Sequence, residues 1–248
     1  MVTRALRSGT PLTVLPRFDP VAVTAAAKTG ATLTSLVSTA LRRIDSTIFR
    51  TIVLGGARAP VDRPPNTVTT YGLTETGSGV VYDGRPLHGV EIRIAGDGEV
   101  LVRCPMQLRA YRNAPSPVDA DGWLHTGDLG ELRADGTLSV QGRRGDLIIS
   151  GGENIWPDVV EAAIGAHPGV ADVGVAGLPD AEWGHLVAAW IVPTTNSQLP
   201  NLEDIRSFVA DTLPSYMAPR VMFLVDDLQR TSLGKLRRTS LVPPDSTR

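Results

Sequence analysis

The sequence predicts an α/β portion that carries a small antiparallel β subdomain and is followed by a small α+β domain. Three observations support this fold class. Short β-rich runs alternate with helical stretches up to about residue 78, which is typical of an α/β sheet. Apolar and polar residues then alternate over 90–94, as in a half-buried strand. Beyond a linker at 141–145, rich in glycine and arginine, helical and β-rich stretches alternate again.

The α/β portion begins with a short helix. Asp19 suits the N-cap and Pro20 the first turn, and Gly30 ends the helix after residue 28. A second helical stretch is expected at 39–44. The strand candidates of this portion are 33–37, 51–54 and 68–71. Ligands of such sheets bind at the carboxyl ends of the strands, so a site is expected where these runs end.

The β subdomain, expected over 79–143, is built from hairpins. Glycine-containing turns separate its β-rich runs, as hairpin connections require. The turns are Ala95-Gly96-Asp97-Gly98 and Ala134-Asp135-Gly136. The strand candidates are 90–94, 99–102 and 138–140.

The α+β domain is expected over 144–248, which leaves 1–143 to the first domain. One helix begins at Pro157, a residue favoured in the first turn, and runs to Ile164. Asn201 caps a second helix whose apolar face extends from Leu202 to Leu213. The strand candidates are 147–150, 170–175, 186–192 and 221–225.

Composition excludes several classes of protein. The net charge of −2 gives no global field that would attract nucleic acid or an anionic membrane. No apolar run reaches the ~20 residues that a membrane-spanning helix needs. Cys104 is the only cysteine, so no intrachain disulfide can form, which suits a reducing compartment. A cytoplasmic location is therefore expected.

Lysine is rare in this chain, and its position is informative. Lys28 and Lys235 are the only lysines among 24 basic residues. Lys235 lies within Thr231-Ser232-Leu233-Gly234-Lys235-Leu236-Arg237-Arg238. Lysine is a compact charge on a flexible stem, which a planar guanidinium does not replace at a crowded reacting centre. The alternative is an ordinary exposed lysine in a basic tail.

Four glycine-marked motifs precede and include this lysine. They are Tyr71-Gly72-Leu73-Thr74-Glu75, Thr126-Gly127-Asp128, Gly142-Arg143-Arg144-Gly145-Asp146 running on to Gly151-Gly152-Glu153-Asn154-Ile155, and Gly234-Lys235. In this order they resemble the adenylate-forming superfamily of acyl-CoA synthetases, luciferases and peptide-synthetase adenylation domains. The resemblance extends over nearly the whole chain but only over the second half of the family's usual length. It implies that the α/β domain is partial and that the C-terminal domain is mobile.

The resemblance implies an ATP site in the first domain. Tyr71 and Gly72 would lie against adenine, Thr74 would contact the α-phosphate, and Glu75 would hold Mg²⁺, a cation that takes carboxylate and phosphate oxygens. The segment Gly55, Gly56 and Ala57 would line the adenine edge. The alternatives are a surface turn with a buried tyrosine, and a tight turn without a ligand.

Ribose and coenzyme A contacts are implied further along the chain. Asp128 would accept hydrogen bonds from the ribose hydroxyls, and Arg143 would reach the ribose or the phosphates. A turn-stabilising aspartate is the alternative. His125 is interpreted as structural, because the attacking carboxylate is already ionised and needs no base. Gly145 occupies the position of the family's hinge residue.

The C-terminal domain would serve the two half-reactions in turn. Gly151, Gly152 and Glu153 would line the channel for the pantetheine arm of coenzyme A, although glycine pairs are also ordinary loop residues. Lys235 would bridge the substrate carboxylate and the α-phosphate, so the predicted catalytic residues are Lys235, Thr74 and Glu75. The arginines around Lys235, at 230, 237 and 238, are interpreted as solvated charge, with contacts to coenzyme A phosphates as the alternative.

The function implied is an ATP-dependent carboxylate–CoA ligase that forms an acyl-adenylate and then a thioester. Asp83-Gly84-Arg85-Pro86-Leu87 resembles o-succinylbenzoate–CoA ligases of menaquinone synthesis, and fatty or aryl acids are the other substrate classes. The family's phosphate-binding loop is not found in this sequence. A carrier-protein-loading adenylation domain and a truncated, non-catalytic remnant therefore stay open. Association into a homo-oligomer, or with a missing N-terminal half, is also compatible.

Overall fold

The computed structural model describes residues 2–56, 59, 62–195, 199–231 and 235–244. The chain forms two compact units. The first comprises Met1–Thr126 with Gly130–Val140, and the second Gly127–Leu129 with Gln141–Arg248. The helices are α1 (Val2–Ser8), α2 (Pro20–Lys28), α3 (Ser38–Leu41), α4 (Pro157–Ile164) and α5 (Leu202–Ala210).

The first unit contains a mixed five-stranded sheet. Its strands, in spatial order, are β1 (Leu33–Leu36), β2 (Thr51–Leu54), β3 (Thr67–Leu73), β4 (Ser78–Tyr82) and β5 (Arg85–Pro86). The first three are parallel, with Leu36 paired to Leu54 and Leu54 to Thr69. β4 runs antiparallel to β3. A cluster around the fully buried Ile52 packs the parallel strands against α2 and α3.

A four-stranded sheet follows, in the order β6 (Glu91–Ile94), β7 (Glu99–Arg103), β8 (Leu124–Leu132) and β9 (Leu138–Arg143). Its core in the first unit includes Val100, Val102 and Leu124. The predicted linker at 141–145 is wrong in its first part, because β9 continues to Arg143 and a 3₁₀ turn, Arg144–Asp146, follows. A Cβ atom at Gly142 would lie 2.5 Å from the Trp156 ring, so this glycine permits close packing and does not mark a loop.

The second unit is an α+β structure around a third sheet. Four strands lie in the order β11 (Glu153–Ile155), β10 (Ile148–Ser150), β13 (Gly184–Pro193) and β12 (Val170–Asp180), and β14 (Val221–Leu224) pairs with β13 in parallel. The long β12–β13 hairpin is its centre.

The two faces of this third sheet are covered differently. α4 and α5 pack on the face that presents Val175 and Ile191. Alternate residues of a strand point to opposite faces, so Trp190 lies on the other side. There it packs with Leu236 and Leu241 from the segment after β14, and its Nε1 donates a 2.9 Å hydrogen bond to the Val242 carbonyl.

The architecture confirms the predicted fold class. The helices and strands expected from hydrophobic periodicity are present, while α1, β4, β5, β8 and β11 were not predicted. In the described part of the chain, no helix has the length and apolar character needed to cross a bilayer.

Candidate functional site

The carboxyl ends of β1, β2 and β3 meet at one edge of the first sheet, beside the point where the antiparallel β4 begins. Gly55 and Gly56 follow β2 there. The Gly55 amide donates a 3.2 Å hydrogen bond to the Leu36 carbonyl, and a Cβ atom at Gly55 would lie 3.2 Å from the Thr70 methyl group. Gly56 has a φ of 88°, which favours glycine. Ala57, the third predicted adenine contact, lies outside the described residues.

Tyr71 and Gly72 lie inside β3. The ladder with β4 is irregular between these two residues, which changes the direction of the strand at this point. A Cβ atom at Gly72 would collide with the Ser78 carbonyl oxygen, so the hairpin needs glycine here. Tyr71 is half-buried and packs against the core of the neighbouring sheet. Its stacking on adenine stays a prediction.

Thr74 and Glu75 lie on a 3₁₀ turn at the end of β3. The Thr76 hydroxyl fixes the turn, because it accepts a 2.9 Å hydrogen bond from the Leu73 amide and lies 2.8 Å from the Ser78 carbonyl. Gly77 then ends the turn with a φ of 70°. Thr74 is exposed and Glu75 is half-buried, so both side chains are held by a fixed backbone at the edge of the sheet.

Tyr111 is a neighbour of this turn that sequence reasoning missed. Its hydroxyl donates a 2.6 Å hydrogen bond to Oε1 of Glu75, and the Leu108 amide donates one of 2.6 Å to the Glu75 carbonyl. Tyr111 is 36 residues from Glu75, so no local pattern could have signalled the contact. The carboxylate has a second oxygen, and Mg²⁺ is often held by one or two carboxylates together with phosphate oxygens. Glu75 has the ligand chemistry that Mg²⁺ prefers, and its metal role stays a prediction.

Asp128 and Arg143, both predicted to contact ribose, form an ion pair within the second unit. Arg143 Nη1 lies 3.2 Å from Asp128 Oδ1. Asp128 is buried, with 9% of its surface exposed, while the Arg143 side chain is 46% exposed. A Cβ atom at Gly127 would lie 3.3 Å from the guanidinium, so the glycine leaves room for it. Contact of either residue with a ribose stays a prediction.

His125 has the surroundings of a structural residue. Its Nδ1 lies 3.0 Å from Oε2 of Glu99, and its Nε2 lies 3.5 Å from Oδ2 of Asp119. The hydrogen bond to Glu99 raises the pKa of His125, and Asp119 adds to the effect. Two carboxylates thus favour the charged form of the imidazole, as expected for a residue that stabilises the structure through ion pairs.

Gly151 and Gly152 form the tight turn between β10 and β11, with φ values of 58° and 84°. The Gly151 amide donates a 2.9 Å hydrogen bond to the Trp183 carbonyl, and a Cβ atom there would lie 2.8 Å from the Trp183 ring. The Arg220 guanidinium carbon lies 3.8 Å from the centroid of the same ring. Glu153, after the turn, is exposed. Sequence reasoning missed Trp183 and Arg220.

Lys235 lies on a hairpin-like segment with an exposed side chain. Its amide donates a 3.1 Å hydrogen bond to the Thr231 hydroxyl, and the Thr231 amide donates one of 2.8 Å to the Lys235 carbonyl. Arg230 and Leu236 pair across the base of the segment. The glycine before Lys235 in the motif, Gly234, lies outside the described residues.

The interpretation of the neighbouring arginines as solvated charge is wrong for Arg238, which pairs with Glu161 and has a side chain that is only 18% exposed. Arg230 and Arg237 have the exposure that was expected, and Arg230 also forms a surface ion pair with Asp172.

Comparison with known proteins gives a consistent picture. Residues 159–235 match the family of the AMP-binding enzyme C-terminal domain. A probable 2-succinylbenzoate–CoA ligase of Mycobacterium tuberculosis is 40% identical over 204 residues, which are 77% of this chain and 53% of the relative. The 2-succinylbenzoate–CoA ligase of Bacillus anthracis is 33% identical over 281 residues, or 97% and 58% of the two chains.

Solved structures agree with these relatives. The o-succinylbenzoate CoA synthetase of Bacillus subtilis, in complex with its acyl-adenylate intermediate, superposes with a TM-score of 0.87 at 30% identity. The match covers 98% of this chain and 57% of that enzyme. The chain thus spans little more than half the length of the proteins it matches, and it corresponds to their C-terminal part.

Proposed function

We propose that this chain, a member of the adenylate-forming superfamily that corresponds to the C-terminal part of its homologues, contributes to an ATP-dependent carboxylate–CoA ligase. The observation that carries the proposal is the likeness, over 98% of the chain, to a synthetase solved with an acyl-adenylate. The proposed acid is o-succinylbenzoate, because both relatives described above are named as ligases of that acid. A cytoplasmic location is part of the proposal, and the free, buried Cys104 thiol suits it.

The first half-reaction joins two anions. A carboxylate oxygen of the acid attacks the α-phosphorus of ATP, and the bond to the bridging oxygen of pyrophosphate breaks. Positive charge must offset the charge on the phosphoryl oxygens and on the leaving group. Glu75 would hold Mg²⁺, which supplies part of that charge when bound. Thr74 would donate to the α-phosphate, and the ammonium group of Lys235 would lie against the attacking carboxylate.

The nucleotide would be oriented by groups that the fold already fixes. Tyr71, Gly55 and Gly56 stand at the carboxyl edge of parallel strands, where ligands of α/β sheets bind. Asp128 offers two acceptor oxygens for ribose hydroxyls, and its ion pair with Arg143 directs that carboxylate.

In the second half-reaction the sulfur of coenzyme A attacks the acyl carbon, AMP leaves with the adenylate oxygen, and the thiol proton is released. The Gly151–Gly152 turn would lie beside the pantetheine arm. A Cβ atom at Gly152 would meet no other group within 4 Å, so a narrow ligand could approach the backbone closely there, whereas the Trp183 ring fills the corresponding space at Gly151. Glu153 follows the turn and would line the same channel.

The test uses a chimera that joins this chain to the N-terminal part of the Bacillus subtilis synthetase that it does not span. Lys235→Ala should reduce ATP–pyrophosphate exchange with o-succinylbenzoate about 100-fold or more, because a charge-stabilising group at the transition state is lost. Thioester formation from supplied acyl-adenylate and coenzyme A should remain. Lys28→Ala, which removes the only other lysine, is the matched control and should change neither reaction.

Equal loss of both half-reactions in Lys235→Ala would contradict the role given to this lysine. Absence of exchange in the unsubstituted chimera, with any acid of a panel, would contradict the ligase proposal itself. Product formed on a phosphopantetheinylated carrier protein, and not on coenzyme A, would instead identify a carrier-loading domain.

A further inference from the structure

We infer that Arg230 and Arg238 are positioning residues that hold the Lys235 segment, of which residues 229–231 and 235–238 are described, in place on the second unit. Lys235 would then be presented from a fixed backbone position on that unit. The inference rests on the proposed function for its catalytic consequence. The contacts that carry it lie entirely within the second unit.

The N-terminal end of the segment is held on strand β12. Arg230 Nη2 lies 2.6 Å from Oδ1 of Asp172, and its Nε lies 3.2 Å from Oδ2, so the pair is bidentate. Asp172 is itself fixed, because its Oδ1 accepts a 2.9 Å hydrogen bond from the Val173 amide. A bidentate guanidinium–carboxylate pair fixes direction as well as distance. The first end is therefore joined to β12, a strand at the edge of the sheet that pairs with β13 over most of its length.

The C-terminal end is held on helix α4. Arg238 Nη2 lies 2.9 Å and 2.8 Å from the two carboxylate oxygens of Glu161. Oε1 of Glu161 also accepts a 2.9 Å hydrogen bond from the Val175 amide of β12. Asp146, on the 3₁₀ turn after β9, lies 4.0 Å from Arg238 Nε. The guanidinium therefore joins the end of the segment to a helix, a strand and this turn.

Between its two ends the segment is anchored by packing. Leu236 belongs to the cluster around Trp190, and its side chain lies 3.1 Å from where a Cβ atom at Gly174 would stand. The neighbouring Lys235 turns its side chain to solvent, while its amide is held by Thr231. The Lys235 backbone is thus held through its own amide and carbonyl, and the four-carbon stem of its side chain keeps its choice of rotamer. Such pre-ordering reduces the conformational entropy lost when the ammonium group engages its target.

The scarcity of lysine makes this inference directly testable on the chain itself. Lysyl endopeptidase cleaves after lysine, so it has two sites, Lys235 and Lys28. Lys28 is the exposed last residue of α2 and serves as the internal reference. Cleavage at a held segment requires local opening, and its rate follows the population of the open form. Asp172→Asn and Arg230→Gln should each raise the ratio of cleavage at Lys235 to cleavage at Lys28 about tenfold.

Two further variants separate positioning from general destabilisation. The double variant Asp172→Arg, Arg230→Asp exchanges the two charges and should restore the cleavage ratio to within about threefold of the wild type. Each position then again faces an opposite charge, and the two side chains, about one-third exposed, have room to pair in the reverse sense. Arg237→Gln, at an exposed position of the same segment, should leave the ratio unchanged. The inference would be overturned if the single variants had the wild-type cleavage ratio, or if the charge-exchange variant were cleaved at Lys235 as readily as the single variants.

The catalytic arm uses the chimera described above. Asp172→Asn should lower kcat for pyrophosphate exchange with little change in KM for ATP, and it should spare thioester formation from supplied acyl-adenylate. If exchange falls while the cleavage ratio stays constant, the positioning inference fails and the proposed function stands. If the cleavage ratio rises but Lys235→Ala has full exchange activity, the role of Lys235 in the proposed function fails instead.

Discussion

Removal of either partner of the Arg238–Glu161 ion pair should destabilise the second unit strongly, whereas removal of both partners should have little effect on its stability. Both side chains are about four-fifths buried, at 18% and 19% exposure. Burial raises the pKa of Glu161, and the Arg238 guanidinium opposes that shift. Desolvation thus cancels much of the attraction within the pair, as is usual for buried ion pairs.

Removal of one partner leaves the charge of the other partner buried without an opposite charge. Glu161→Gln keeps a carbonyl oxygen for the Val175 amide but removes the charge that Arg238 faces, so we expect a loss of about 3 kcal/mol, at the lower end of the range for buried pairs. Arg238→Met keeps most of the volume of the side-chain stem and should lower the free energy of unfolding by a similar amount. The double variant buries no charge and should unfold within about 1 kcal/mol of the wild type. The coupling energy should therefore exceed about 2 kcal/mol.

Urea unfolding followed by tryptophan fluorescence measures these values, because three of the four tryptophans belong to the second unit: Trp156, Trp183 and Trp190. With a slope of roughly 1.5 kcal/mol per molar, each single variant should lower the midpoint by roughly 2 M. Arg237→Met is the matched control and should stay within about 0.5 kcal/mol of the wild type. Additive losses in the double variant would refute the reasoning, as would single losses below about 1 kcal/mol.

Three other predictions concern separate parts of the fold. The pKa of His125 is raised in the folded state, so protonated His125 stabilises the fold fully below the unfolded pKa of ~6.5. This stabilisation is lost as the pH rises through the folded pKa. Since the ring is 46% exposed, thermal melts of His125→Gln should lack less than about 1 kcal/mol of this pH-dependent stability. Gly142→Val should overpack the Trp156 ring and cost about 2 kcal/mol in urea unfolding, whereas an unchanged midpoint would show that the ring can move aside. Tyr111→Phe should raise the Mg²⁺ concentration needed for half-maximal ATP–pyrophosphate exchange in the chimera about threefold, because the Glu75 carboxylate loses a hydrogen bond that orients it. Mn²⁺ titration followed by electron paramagnetic resonance should show metal binding weakened by the same factor.

Local patterns were sufficient to predict much of the fold. The helix α4 was predicted with its observed bounds, Pro157–Ile164, because a favoured first-turn proline precedes an apolar periodic stretch. Strand β2 was equally clear, since four β-prone residues precede two glycines. The segment 141–145 was misjudged because glycine is also used where an aromatic ring packs on the backbone, and sequence alone does not distinguish this use from a loop.

The candidate site residues were chosen from short motifs, but the residues that support them could not be predicted from the sequence. Residues such as Glu75 and Lys235 stand in short strings that a single sequence reveals. Their partners do not, because Tyr111 is 36 residues from Glu75, and the residues that hold the Lys235 segment are 58 and 77 residues from their arginines. Contacts at such separations depend on tertiary packing, which leaves no period in the sequence.

The covering of Trp190 by the segment after β14 has a consequence for biosynthesis. Helices cover one side of the third sheet, but the opposite side is covered only after Leu236, Leu241 and the carbonyl of Val242 have been synthesised. A nascent chain that has not yet reached these residues exposes a large indole and the strand surface around it, which favours aggregation or proteolysis. Polypeptides that stop short of this point lack part of the hydrophobic interior of the second unit, so quality control by the cell would remove them.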